Sequence, residues 1–200
     1  MNPHSPRRIA VTGGIGCGKS ATGAALRALG VPVLDTDEVA HALLANDADA
    51  KAAIRERFGD GVFAGDAVDR RALGQVVFAE PGARKDLEAI LHPRIQAQTD
   101  AWLAEQTRAG PAAVLIPLLY EVGREKAFDL CVCVACSPAT QRARLRERGW
   151  SDAEIDRRNA AQLSVEEKIR RADVVIWTDG AMENHEAQWR RVLPGAQSFA

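Results

Sequence analysis

Long hydrophobic runs are the first thing missing from these 200 residues. No apolar stretch approaches the about 20 residues of a membrane-spanning helix, and the opening MNPHSPRR lacks the apolar core of a signal peptide. Charge of one sign is missing too. The formal net charge is −1, so nothing suggests a tail that binds polyanions such as nucleic acid. Cysteine is sparse, and Cys17, Cys131, Cys133 and Cys136 do not have the look of a disulfide framework. Internal repeats and low-complexity tracts are absent. These absences lead us to expect a soluble, cytoplasmic protein with no nucleic-acid or membrane partner. With 46% hydrophobic residues the chain can bury the core of one compact domain, with a smaller insertion.

What the chain does have is glycine concentrated in one place. In IAVTGGIGCGKSATGAAL, residues 9–26, an apolar run breaks into Gly13, Gly14, Gly16 and Gly18 and then resumes as a helical pattern. Gly13-x4-Gly18-Lys19-Ser20 fits G-x4-G-K-[ST], the loop that cradles nucleotide phosphates. Phosphate oxygens need several backbone N–H groups converging at short range, and β-carbons would obstruct them. The helix that follows adds free N–H groups and the positive end of its dipole. Gly13, Gly14, Ile15, Gly16, Cys17, Gly18, Lys19, Ser20 and Ala21 are therefore the expected ATP-binding stretch. Lys19 would reach the β- and γ-phosphates, and the Ser20 hydroxyl would bind Mg²⁺.

The surrounding pattern supplies the context this motif requires. RIAVT (8–12) and VPVLD (31–35) read as strands flanking a helix that Gly30 caps, which makes a βαβ unit with parallel strands. AAVLIPLL (112–119) and LCVCVA (130–135) are continuous apolar runs of the kind buried on both faces of a parallel sheet. DVVIWT (173–178) is the last strand, and the tail has room for one more helix. Between residues 36 and 110 every periodic segment reads as helix and none as strand, and His92-Pro93 either starts a helix or kinks a long one. The expectation is an α/β phosphate-loop fold: a five-stranded parallel sheet flanked by helices, interrupted by a helical insertion.

Asp35 and Asp37 follow the second strand, which in a simple βαβ unit lies beside the first. Ligands of parallel sheets bind beyond the carboxyl ends of the strands. One aspartate can take a proton from an attacking hydroxyl while the other holds Mg²⁺ through water. Helix capping by an aspartate explains the same residues equally well. No N-K-x-D base-reading signature of a GTPase occurs, which favours a small-molecule kinase over a nucleotide-dependent switch.

VTGGIGCGKS, DTDEVAH, LEAILHPRI, IPLLYE and RRNAAQLSVEEKIRRADVVI occur in this order and at intervals that resemble the dephospho-CoA kinase family, over roughly residues 7–190. The resemblance implies ATP-dependent phosphorylation of the ribose 3′-hydroxyl of dephospho-CoA, with Mg²⁺. It also implies a phosphate-loop core (about 7–36, 110–140 and 172–200), a helical substrate domain (about 37–109) and an arginine-bearing lid (about 141–165). In the family's D-x-D motif the second aspartate is the base, here Asp37, leaving Asp35 to the metal beside Ser20. The chain departs from the family at Cys17, Ala21 and WTDG (177–180), the last of which bears on the adenine side.

Several side chains carry two readings. Arg142, Arg144, Arg146 and Arg148 crowd one helix, either as solvated charges or as cations for the transferred phosphate, and Arg144 and Arg148 are the pair expected to face the site. Arg158 shares a helix face with Gln162 and is a further phosphate candidate. His92 and Arg94 fall in the substrate-domain tract, and Glu121 ends IPLLYE at a strand's carboxyl end, where it can orient substrate. Cys131-x-Cys133-x2-Cys136 hints at a metal, but alternation buries the first two in an apolar strand and no histidine follows at ligand spacing.

Overall fold

The computed structural model describes residues 7–80, 82–107 and 110–193. The chain divides into two compact units, one running to Asp35 and again from Leu103 onward, the other comprising Thr36–Trp102. Residues 81, 108, 109 and 194–200, which fall inside the expected domain bounds, lie outside the described residues.

The first unit is built on β1 (Arg8–Gly13), β2 (Val33–Asp35), β5 (Ala112–Leu115), β6 (Leu130–Ala135) and β7 (Val174–Trp177). All pairings are parallel and the order is β2-β5-β1-β6-β7. One expectation fails here: β2 does not lie beside β1. Strand β5 separates them, pairing Ile9 with Ala113 on one side and Val33 with Ala113 on the other. The reason lies in composition. Every position of β5 is buried, whereas no residue of the short β2 is, so the apolar strand takes the interior and β2 the edge.

On one face, α1 (Lys19–Ala28) and α9 (Met182–Val192) pack together over Ile9, Val11, Val132 and Val134, burying Leu26 and Trp189 completely. Burial of a side chain such as Leu26 contributes about 1.5–3 kcal/mol. Gly30 takes a positive φ of 77° just past α1, where an L side chain would be strained. α8 (Val165–Arg171) packs on β1 and β6, and α6 (Pro138–Glu147) contacts α7 (Asp152–Ala160). The serines Ser137, Ser151 and Ser164 cap α6, α7 and α8 through their side chains.

The second unit holds α2 (Thr36–Asn46), α3 (Ala48–Phe58), α4 (Arg70–Ala79) and most of α5 (Ala83–Gln106). It also contains a strand pair the sequence did not announce: β3 (Phe63–Ala64) and β4 (Ala67–Val68), antiparallel around Gly65. Strands of two residues are too short to show a period. Pro93 sits inside the 24-residue α5 and does not end it. The last turn of α5 belongs with the sheet, and Arg7 Nη1 donates to the Thr107 carbonyl at 2.8 Å. Among the described residues no helix is long and apolar enough to cross a membrane.

Candidate active site at the phosphate loop

The segment between β1 and α1 folds as the motif requires. Gly18 is the N-cap of α1 and has no side chain to satisfy the first-turn N–H groups, and no acidic residue stands in that turn. The end of α1 is thus open to an anion. Lys19 is half-buried and its Nζ donates to the carbonyls of Gly13 (2.9 Å) and Gly14 (3.0 Å). Ser20 is exposed and Ala21 half-buried.

The glycines answer to the protein as well as to a ligand. A β-carbon on Gly13 would strike the Val134 carbonyl of β6. At Gly16, with φ 73°, it would lie 2.9 Å from Leu145 on α6. Sequence reasoning assigned these glycines to phosphate approach alone. The fold shows strands and helices pressing on the loop too closely for any side chain.

Of three side chains missed in the sequence, Gln141 and Thr178 hold this arrangement and Lys168 holds the chain after β5. Gln141 of α6 donates from Nε2 to the Ile15 carbonyl at 2.8 Å and meets the amide of Asn159 on α7 at 3.4 Å. Thr178, just past β7, donates from Oγ1 to the Cys17 carbonyl at 2.9 Å. Lys168 of α8 is fully buried, with Nζ 2.6 Å from the Pro117 carbonyl and 3.0 Å from Glu121 Oε1. Lys168 and Gln141 lie in polar stretches, and Thr178 reads as the end of the last strand and as part of the departure at WTDG.

The expected site residues separate into distinct surroundings. Glu121 accepts from the Leu163 N–H (2.9 Å) as well as from Lys168, so it ties the chain after β5 to the link between α7 and α8. Arg144 reaches Thr178, donating to its Oγ1 (2.9 Å) and its carbonyl (2.5 Å). Arg142 and Arg146 pair instead with Asp152 of α7, Arg142 also with Asp156, and Arg148 is exposed at the end of α6. Arg158 pairs with Glu154 at 2.9 Å and stacks on Trp150, 4.2 Å from the ring centre. Asp35 is the last residue of β2 and half-buried.

In the second unit, Asp37 is exposed in the first turn of α2, where the helix dipole favours a negative charge. Arg94 donates to the Ile90 carbonyl (2.7 Å) and lies 3.7 Å from Asp47, the side-chain cap of α3. His92 is half-buried on α5.

Electrostatics at the loop follow from these contacts. The Cys17 thiol is pulled below the ordinary thiol range by its hydrogen bond with Cys136. Burial pushes Cys133 up to about 12 and Cys131 up to about 11, values that keep both protonated inside β6. Asp179 is held below the usual carboxylate range by hydrogen bonds from Thr140 and Ser137, and so anchors the start of α6 beside Thr178.

For Mg²⁺, an exposed hydroxyl at Ser20 and a carboxylate at Asp35 are hard oxygen donors of the right kind. Mg²⁺ keeps several waters and takes only one or two protein oxygens beside nucleotide phosphates, so the donors present fit it.

Lys168→Met is expected to destabilise the protein by about 3 kcal/mol, because it leaves Glu121 and the Pro117 carbonyl without their buried cation. Pairing it with Glu121→Gln should recover part of the loss. Urea titration would measure both, and a loss below about 1 kcal/mol in the single variant would show that the buried pair is not holding these segments.

A protein-family profile described as dephospho-CoA kinase matches residues 7–184. The dephospho-CoA kinase of Anaeromyxobacter dehalogenans is 47% identical over 191 residues, covering 94% of this chain and 90% of that protein. Among solved structures, TT1252 from Thermus thermophilus superposes with a TM-score of 0.81 at 35% identity, over 94% of this chain and 97% of that one. Dephospho-CoA kinase from Campylobacter jejuni shares the fold, with a TM-score of 0.64 at 23% identity over 95% and 97% of the two chains.

Proposed function

Since the chain belongs to the dephospho-CoA kinase family, we propose that it transfers the γ-phosphoryl group of ATP to the ribose 3′-hydroxyl of dephospho-CoA. The products are CoA and ADP, and this is the last step of coenzyme A synthesis. The observation that carries the reading is the phosphate loop itself, with the uncapped end of α1 behind it and Lys19 poised on its carbonyls.

The chain's own residues supply three things. Backbone N–H groups of Gly13–Ala21 and the α1 terminus bind the triphosphate. Lys19 exchanges its two carbonyl partners for phosphate oxygens, which places a cation where charge develops in transfer. Asp37 accepts the proton of the attacking 3′-hydroxyl as the oxygen bonds to phosphorus and the bond to ADP breaks. Ser20 and Asp35 would hold Mg²⁺, which when bound neutralises charge on the β- and γ-phosphates. His92, Arg94 and Arg158 are proposed as substrate contacts on their places in the family tracts, with Thr36–Trp102 as the substrate-binding part and α7 as part of a lid over the loop. The reaction we propose runs in the cytoplasm.

ADP formation should require Mg²⁺ and rise strongly with dephospho-CoA. A coupled assay with dephospho-CoA, AMP and a nucleoside as alternative acceptors tests this. Equal stimulation by AMP or a nucleoside would instead mark a nucleotide or nucleoside kinase, and no stimulation by any acceptor would favour a nucleotide-dependent switch.

A further inference from the structure

The face of α6 defined by Gln141, Arg144 and Leu145 meets the phosphate loop at successive points. Gln141 holds the Ile15 carbonyl, Leu145 packs at Gly16, and Arg144 reaches Thr178, which holds the Cys17 carbonyl. Thr178 is itself fixed: its N–H donates to the Ala135 carbonyl at 2.8 Å, continuing the pairing of β6 with β7. Its Oγ1 lies 2.9 Å from Arg144 Nη1, 2.9 Å from the Cys17 carbonyl and 3.3 Å from the Ala135 carbonyl. A guanidinium only donates and a hydroxyl has one hydrogen to give. The hydroxyl must therefore accept from Arg144 and donate to the carbonyls, with Cys17 the nearer. Thr178 is 7% exposed and Gln141 8%, so little water competes for these bonds.

In a trans peptide the carbonyl and the following N–H point in opposite directions, and no peptide among the described residues is cis. Holding the Ile15 and Cys17 carbonyls therefore turns the N–H groups of Gly16 and Gly18 away from Gln141 and Thr178. Both glycines adopt the positive φ (73° and 94°) that this alternation needs. We propose that Gln141 and Thr178, the latter oriented by Arg144, are positioning residues for the triphosphate, presetting the Gly16 and Gly18 N–H groups as phosphate donors. Donors fixed before ligand arrives need no reorganisation when it binds, which is where preorganised sites gain their strength. The proposal rests on the reading of this loop as an ATP site. It assigns Arg144 an action through Thr178 in place of direct contact with phosphate.

Thr178→Val keeps the shape of the side chain and removes the hydroxyl. Its Kd and KM for ATP should rise about ten-fold, with KM for dephospho-CoA held within about two-fold. Thr178→Ser should restore ATP binding to near wild type, which a role in packing the methyl group would not allow. Adding Arg144→Met to Thr178→Val should weaken ATP binding little more, because the hydroxyl by which the arginine reaches Cys17 is already gone and only its bond to the backbone carbonyl at that position remains. Should Thr178→Val not fold, Gln141→Leu makes the same test at the Ile15 carbonyl. Unchanged ATP affinity, a serine variant as weak as valine, or both KM values rising together would overturn the proposal. A wild-type chain that binds no ATP in calorimetry would overturn the functional reading first, which distinguishes the two failures.

Discussion

Lys19→Ala should fold as the wild type does and lose about 10²–10³-fold in turnover. The ammonium bonds the Gly13 and Gly14 carbonyls from a half-buried position. Truncation removes those two bonds and opens no cavity in the sheet. Hydrogen bonds of this kind contribute about 1 kcal/mol each, so the melting temperature should move little. With ATP bound the balance differs. The same ammonium then faces charge accumulating on the transferred group, in a site that excludes water, where one well-placed cation is worth several hydrogen bonds in solvent. Stopped-time measurement of ADP against a melting curve separates the two effects. Near-native turnover would remove Lys19 from the chemistry, and a collapsed melting curve would make it a structural residue of the loop.

Asp37→Asn is the second large effect. General-base catalysis contributes about 10²–10⁴ in rate, and a loose phosphoryl-transfer transition state demands little of a base. The fall in turnover should therefore lie toward the low end, at least tens of fold, while ATP affinity stays within a few fold. The competing role is visible in the structure. Asp37 is exposed in the first turn of α2, where its charge is worth about 0.3–1 kcal/mol to the helix. A helix-stabilising aspartate loses that small stability on conversion to asparagine and leaves turnover almost intact. A variant that keeps more than about a tenth of wild-type turnover would thus assign Asp37 to the helix alone. Asp35→Asn should differ in kind, raising the Mg²⁺ concentration needed for half-maximal rate more than it lowers the maximal rate.

Much of the fold was legible because its signals are local. The run from Arg8 to Ala28 carries a strand, a glycine turn and a helix start in one continuous pattern, and the structure has each in place. The apolar runs at 112 and 130 became the central strands β5 and β6 for the reason that made them recognisable, burial on both faces. Strand order was not legible. Nothing in VPVLD says that another strand, from some eighty residues on in sequence, will come between it and RIAVT. The arginines of α6 show the same limit. Helical period divided Arg142 and Arg146 from Arg144 and Arg148, and Arg142 and Arg146 do share a partner in Asp152. Period could not say that Arg144 would turn to a threonine past the last strand.

By itself, the sequence determined the phosphate loop, the helix that presents it and the parallel strands around it. Each depends on residues within about one turn or one strand of one another, so spacing alone carries the information. Only the tertiary structure decided what holds the loop's shape and what holds the chain after β5. Gln141 meets Ile15 across 126 positions, Thr178 meets Cys17 across 161, and Lys168 meets Pro117 across 51. Such contacts leave no local period, because each is made when a strand or helix end returns to the same end of the sheet. The side chains involved are polar residues in polar segments, and burial alone separates them from solvated neighbours. That burial exists only once the sheet has closed around them.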